Sequence, residues 1–528
     1  MKLARRLLPL LLLAPAPLRA ASPSIEEEAA QLIMTAADAS GLAAARRDVG
    51  AGLGGVQLQW GSYSLEATRR LTETLQAGAS VPLFIGVDYE GGSVYVPTTL
   101  GLLELPTNMM LGAADDENNT ATLFYLAGKE LRRAGINMAF GPVLDVNSNP
   151  RNPIIGIRSF GSDPAEAARL GGAVISGFKA SGIIAVAKHF PGHGAASQDS
   201  HKTLPEIDAS TAALAGTDLV PFRAAIAQGV PAVMTAHVLY PALDPREPAT
   251  LSPAVIGGLL RRDLGFGGLV VTDSLDMRAI TSRTTVARAA AAALKAGADL
   301  LLIGKGDFRA AVREIAAQVR AGRIPRSRLD EAYRRVLAAK RAAGLFSRPE
   351  PPSPFDKAYI DITDELSRRA LTAARGGGLL PLPKSKKIAV IIFAPQRFAG
   401  NALSLYRALL GNGYEASQYV FDIGVRPEEE RKIREAAAAA DILVIGSFQW
   451  TGVQNASQRA MIDSLLDSGK TSVLLSLMNP YDLANYPKAR CALALYGMTA
   501  PSMAAAGEAL AGELEPAGRL PVALPEAR

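Results

Sequence analysis

IIAVAKHFPGHGAASQDSHKTLP, residues 183–205, opens on an apolar run and ends in a loop rich in glycine, alanine and serine. The run 183–190 lacks polar alternation, so it reads as a strand buried on both faces, as in a parallel sheet covered by helices. Its last residues, Lys188, His189 and Phe190, place ionisable groups at the C-terminal end of that strand. All four histidines of the chain (His189, His193, His201 and His237) fall within residues 189–237. Histidine is the side chain whose ordinary pKa lies near neutrality, so this cluster marks a candidate site of proton transfer or metal binding.

Outward from this stretch, short apolar strands alternate with amphipathic or alanine-rich helices from about residue 48 to 345. Strands are expected at 54–60, 82–90, 136–146, 232–240, 268–277 and 298–304, with helices such as 163–182 between them. Seven or eight strand–helix units in roughly 300 residues fit a TIM-type (β/α)8 barrel better than an open sheet. Asp88 and Glu90, Asp145, Lys188 and His189, His237, and Asp273 all follow an apolar strand at its C-terminal end. That end of a barrel carries the active site, because eight loops converge there above a packed core. Taken singly, each is equally explained as a helix cap or a strand-end hydrogen bond, and Asp145 is balanced evenly between the two readings.

The 528 residues exceed what one core supports, so a second domain is expected. Residues 1–21, MKLARRLLPLLLLAPAPLRAA, combine a basic start, a short apolar run and a small-residue end, as a Sec-type signal peptide does. The run is too short and too proline-broken to span a bilayer, and no cysteine follows it to carry a lipid, so a periplasmic or secreted protein without stable membrane insertion is expected. Loss of Lys2, Arg5, Arg6 and Arg19 with the signal takes the formal charge from +6 to +2, and no basic stripe with interleaved aromatics suggests nucleic acid. One cysteine, Cys491, allows no internal disulfide. The expected organisation is a catalytic barrel over 22–345, a proline- and glycine-rich linker over 346–386 and a smaller α/β sandwich over 387–528, in a monomer. Within the linker, DITDELSRRALTAAR reads as a helix with Asp361 or Thr363 near its cap, and the sandwich shows four strands and no histidine.

His189 and His193 are four residues apart, but Pro191 and Gly192 between them rule against the helix that a zinc-binding pair would need. Neither a metal nor another cofactor is expected. GxSxG is absent, which disfavours serine hydrolysis. Carboxylate and histidine chemistry remains. Asp273 ends the strand GLVVTD, and Asp199 and His201 lie one residue apart, so in an extended loop their side chains point the same way and the carboxylate can orient the imidazole. His201 is then a candidate general acid and base, and Asp273 a candidate nucleophile.

KHFPGHG (188–194), DSHKTLP (199–205), MTAHVLYPALDP (234–245) and LRRDLGFGGLVVTDSLDM (260–277) together resemble glycoside hydrolase family 3, in its β-N-acetylglucosaminidase branch. EGG at 90–92, GPVLDVN at 141–147 and GIRSFGSDP at 156–164 extend the resemblance across the first domain, and GLLPLP at 378–383 links the second domain more loosely to two-domain members. The resemblance implies a retaining double displacement on a carbohydrate substrate, a glycan ending in β-linked GlcNAc from peptidoglycan fragments or chitooligosaccharides. Asp273 would attack the anomeric carbon; His201, oriented by Asp199, would supply acid and base in place of the second carboxylate that most retaining glycosidases hold about 5–5.5 Å away. Asp88, Arg158, Lys188 and His189 fall where the family binds the sugar, while His193 and His237 are expected to shape the turn and support the pocket. Ser93 stands where the family often has arginine, and Ser274 where it often has a second acid. The competing expectations are a β-glucosidase or a GlcNAc phosphorylase of the same family, or a non-catalytic wall-binding protein. The DSH loop argues against the first, and retention of Asp199, His201 and Asp273 against the last.

Overall fold

The computed structural model describes residues 22–38, 41–59, 63–92, 101–347, 355–451 and 453–525. The expected signal peptide, Ser93 and most of the proline run at 347–354 lie outside the described residues.

Eight strands form the first sheet: β1 (Ile33–Ala37), β2 (Gly55–Leu58), β3 (Phe84–Val87), β4 (Met138–Ala139), β5 (Ile184–Phe190), β6 (Ala232–Thr235), β7 (Leu269–Thr272) and β8 (Leu301–Leu302). Their order is β7-β6-β5-β4-β3-β2-β1-β8, every pairing is parallel, and a bridge between Val271 and Leu300 joins the two ends into a barrel. The strands are buried on both faces, by helices outside and by packed side chains within, which is why they read as continuous apolar runs. Gly86 shows how tightly the interior is filled: a Cβ there would stand 2.8 Å from the Phe140 ring and 2.9 Å from the Met34 methyl. The helix expected at 163–182 spans Pro164–Ser181, opened by the Asp163 side chain accepting from Ala165 N–H and closed by Gly182 at φ 78°.

β1 was not among the expected strands. Its sequence, IMTAA, follows directly on the helix Ile25–Gln31 and shares its alanine-rich texture, so only pairing with β2 and β8 reveals it. The segment 346–386 also differs from a plain linker. It contains the helix Ala358–Ala370, which begins earlier than expected and puts Asp361 in its first turn rather than at its cap. The strand β9 (Thr372–Arg375) follows that helix and pairs antiparallel with β14 (Cys491–Ala494) of the second sheet. The helix packs against barrel helices and against Ala500–Ala511 of the second domain, so the segment is structural cement between them.

The second sheet adds β10 (Ile388–Phe393), β11 (Ala416–Phe421), β12 (Ile442–Ser447) and β13 (Thr471–Ser476), in the order β11-β10-β12-β13-β14-β9. All are parallel except β9, with helices interleaved along the chain. β11, ASQYVF, escaped the sequence reading because an edge strand keeps only one fully buried residue. Among the described residues no helix is long and apolar enough to cross a membrane.

Candidate active site

The C-terminal ends of β2, β3 and β5 meet in a buried ionic network. Lys188 Nζ lies 2.8 Å from Asp88 Oδ1 and 2.8 Å from Glu90 Oε1. Gln57 donates through Nε2 to the other Asp88 oxygen at 2.9 Å. Arg158 reaches in from the loop after β4 and donates to Glu90 through Nε at 2.6 Å and Nη2 at 3.0 Å, a bidentate clamp. Glu90, Lys188 and Arg158 are all buried, whereas the Asp88 side chain keeps 28 % of its surface open to the mouth. Burial pushes the Glu90 carboxyl up, but the Arg158 and Lys188 charges outweigh it and bring it down to about 2. Burial likewise works against the Lys188 ammonium, and Asp88 and Glu90 more than restore it, so the lysine stays charged.

Asp145, at the next strand end, organises the histidine stretch. One oxygen accepts from the backbone N–H groups of His189 at 3.2 Å and His193 at 2.7 Å; the other lies 2.7 Å from His189 Nδ1. Although burial opposes it, the neighbouring His189 and the His193 N–H hold this carboxyl below the usual range, so it only accepts and His189 carries a proton on Nδ1. His189 Nε2 is then turned toward Arg158 Nη2, 3.5 Å away. His193 is buried, and burial lowers its ring to about 4, so it is neutral at physiological pH. Its Nε2 faces Ser200 Oγ at 3.2 Å, tying the PGHG turn to the loop that carries His201.

Asp273 follows β7. Burial would raise its carboxyl, yet His237, His189, the Ser274 N–H and Lys188 together keep it below the normal range, and it stands ionised. The Ser274 N–H donates to Asp273 Oδ1 at 2.7 Å, and the Ser274 carbonyl lies 2.9 Å from His237 Nε2. A carbonyl only accepts, so Nε2 bears the proton of His237, and Nδ1 faces Thr250 Oγ1 at 2.8 Å. Burial lowers His237 despite the pull of Asp273, leaving it neutral. Ser274, the departure noted from sequence, spends its hydroxyl on Asp276 at 2.7 Å.

His201 differs from the other three histidines in exposure: 48 % of its side chain is accessible, against 7 % for His189. Asp199 Oδ1 accepts from the His201 backbone N–H at 2.9 Å and lies 2.9 Å from its Nδ1. Asp199 is held ionised against its partial burial by these His201 contacts and by Lys202, so Nδ1 donates and Nε2 is left to exchange protons with a ligand. The Ser200 carbonyl accepts from the Ala279 N–H at 3.3 Å, docking this loop on the segment just beyond Asp273.

Every site residue expected from sequence therefore occupies the same end of the barrel. Asp88, Lys188, Arg158 and His189 form one connected network, Asp273 feels the Lys188 charge, and Asp199 and His201 form a separate dyad on the overlying loop. Glu90 and Asp145 were noted as strand-end carboxylates but assigned no part in the site. Their signal was the same as that of Asp88, and only the structure shows that they hold the cations and histidines in place. Asp218 was not singled out at all. It stands at the N-cap of the helix Leu219–Ala227 without capping it, its side chain pressed against Gly192 of the PGHG turn. Burial, aided by the Asp145 charge, raises its carboxyl to about 7.

Because that folded value exceeds the unfolded one, the folded state retains a proton that the unfolded chain loses, and stability falls as pH rises from about 4 to about 7. Asp218→Asn, which cannot ionise, is expected to raise the melting temperature at pH 8, with a gain on the order of 4 kcal/mol of stability, and to change it little at pH 4. Melting curves at the two pH values check this; equal shifts at both would sink it.

Residues 24–339 match the glycosyl hydrolase family 3 N-terminal domain. A solved glycoside hydrolase family 3 β-N-acetylglucosaminidase from Paenibacillus sp. str. FPU-7 superposes with a TM-score of 0.88 at 33% identity, covering 96% of this chain and 100% of that one. Among curated relatives, the "Beta-hexosaminidase A" of Pseudoalteromonas piscicida is 29% identical over 86% of both chains. The "Beta-N-acetylglucosaminidase/beta-glucosidase" of Cellulomonas fimi is 29% identical over 89% of this chain and 88% of its own. With the barrel, the strand-end carboxylates and the matched domain in agreement, this chain belongs to glycoside hydrolase family 3 and is a glycoside hydrolase.

Proposed function

We propose that the chain is an exported, exo-acting, retaining β-N-acetylglucosaminidase that removes terminal β-linked GlcNAc from peptidoglycan fragments or chitooligosaccharides. The observation that carries this reading is the pairing of an ionised carboxylate at the end of β7, Asp273, with a half-exposed histidine whose Nδ1 is committed to Asp199. Asp273 attacks the anomeric carbon while His201 Nε2–H protonates the departing glycosidic oxygen, giving a glycosyl-enzyme and a neutral imidazole. That imidazole then takes a proton from water, which attacks the same carbon, releases Asp273 and restores the protonated ring. Asp88, with oxygens facing the mouth, accepts from sugar hydroxyls, while Lys188, Arg158 and His189 line the same subsite. The relatives named for hexosaminidase or β-N-acetylglucosaminidase activity support the choice of sugar.

Turnover of nitrophenyl β-GlcNAc and nitrophenyl β-glucoside, each with and without inorganic phosphate, tests this reading. The expected preference is for β-GlcNAc, with free sugar as product whether or not phosphate is present. Glucose 1-phosphate or GlcNAc 1-phosphate as product would overturn hydrolysis, and a preference for the glucoside would overturn the choice of sugar. His201→Ala is expected to cost about 10²–10⁴-fold in kcat for an alkyl or sugar leaving group, and much less for dinitrophenolate, which needs no proton to depart.

A further inference from the structure

The loop 147–158 between β4 and the helix Pro164–Ser181 carries Arg158 at its end and is gripped from two sides. On the barrel side, Asn149 Nδ2 donates to the carbonyls of Ala195 at 3.3 Å and Ala196 at 3.1 Å. Asn152 Nδ2 donates to the carbonyls of His193 and Gly194, both at 2.9 Å. Those four carbonyls open the segment that ends in Asp199 and His201. The contact there is backbone against backbone: a Cβ on Gly194 would fall 1.7 Å from the Val146 carbonyl oxygen.

On the other side the loop meets the second domain. Asn147, buried at 1 % exposure, donates through Nδ2 to the Tyr481 hydroxyl at 2.9 Å. Tyr481 belongs to the turn after β13, Pro480–Asn485, and is itself buried. At Gly156, whose φ is +47°, a Cβ would stand 3.0 Å from Asn479 Nδ2 and 3.8 Å from the Trp450 carbonyl. Just past Arg158, Ser162 N–H donates to the Pro521 carbonyl at 2.9 Å. The loop is thus wedged between the second domain and the segment that presents the acid–base histidine.

We propose that the second domain positions the acid–base loop, with Tyr481 as the positioning residue acting through Asn147, the 147–158 loop and the 193–197 backbone. Buried and bonded to Asn147, Tyr481 acts at a distance: it fixes where His201 stands when the glycosidic oxygen must be protonated. The inference rests on His201 being that acid.

The test uses the full chain and a series of aryl β-N-acetylglucosaminides whose leaving groups range from dinitrophenolate to methoxyphenolate. In Tyr481→Phe, which keeps the ring and loses the hydroxyl, kcat/KM is expected to fall about tenfold for the poorest leaving group, since small misplacements of a catalytic group carry such costs, and less than twofold for dinitrophenolate. Asn147→Ala approaches the same contact from the barrel side. It should reproduce the selective loss, and the double variant should lose no more than either single one. A uniform loss across the series, no loss, or additive losses in the double variant would overturn the proposal. His201→Ala runs alongside. If it shows the leaving-group dependence and Tyr481→Phe does not, the positioning role alone fails; if His201→Ala shows none, the acid–base reading fails and takes this inference with it.

Discussion

Asp273→Ala is expected to lower kcat for nitrophenyl β-GlcNAc by about 10⁴-fold or more, on the order of 5 kcal/mol of lost transition-state stabilisation. The expectation follows from the state of the group as well as its place. Asp273 is kept ionised against its burial by His237, His189, Ser274 N–H and Lys188, so in the proposed role of nucleophile it would need no neighbouring base to activate it. The strand-end carboxylates Glu90, Asp145 and Asp88 are already engaged. Glu90 is clamped by Arg158 and Lys188, Asp145 is spent on two histidine N–H groups and an imidazole, and Asp88 holds Lys188 and Gln57. Truncation also leaves room for a small anion. Azide is expected to restore part of the activity and to yield a glycosyl azide of inverted configuration, because the anion attacks from the face that Asp273 vacated. Nitrophenol release above a hundredth of the wild-type rate without azide would place the nucleophile elsewhere.

The site was legible from sequence to the extent that it depends on strand ends. A parallel barrel buries both faces of its strands, so an aspartate after GLVVT or a lysine and histidine closing IIAVAKHF is conspicuous, and direction along the strand gives the end at which it emerges. The division of labour among these residues was not legible. Asp88, Glu90 and Asp145 present the same pattern, a carboxylate just past an apolar run, yet one faces the mouth while two are consumed within the protein. That difference arises from Arg158 and Lys188 on Glu90 and from His189 and His193 on Asp145, partners that arrive from segments remote in sequence and meet the carboxylates only after folding. The fold shows the same limit. β5 and β10 announce themselves because both faces are buried; β1, β9 and β11 pass as helix or loop because their residues are small, or half-exposed at a sheet edge, and pairing alone makes them strands.

Glu90→Ala is expected to be the most destabilising single change in the site. Glu90 is 2 % exposed and compensates two buried cations, with Arg158 at 2.6 and 3.0 Å and Lys188 at 2.8 Å. Removing one partner from a buried ionic cluster leaves charge that neither water nor protein solvates, at a cost of about 3–5 kcal/mol. Asp88 still holds Lys188, but Arg158 loses both arms of its clamp, so the loss is expected near the upper end of that range and should lower the melting temperature by roughly 4–8 °C. Glu90→Gln, which keeps the shape and one accepting oxygen, should cost less. The pH dependence separates this cause from lost packing. The folded value of Glu90, about 2, lies below the ordinary 4.5, so its contribution is complete above about pH 5 and disappears as pH falls through 4.5 toward 2. The gap between wild type and Glu90→Ala should therefore be wide at pH 7 and shrink steadily below pH 4.5. A gap that stayed constant across that range would mean that Glu90 acts by filling space, and that the cations find other partners.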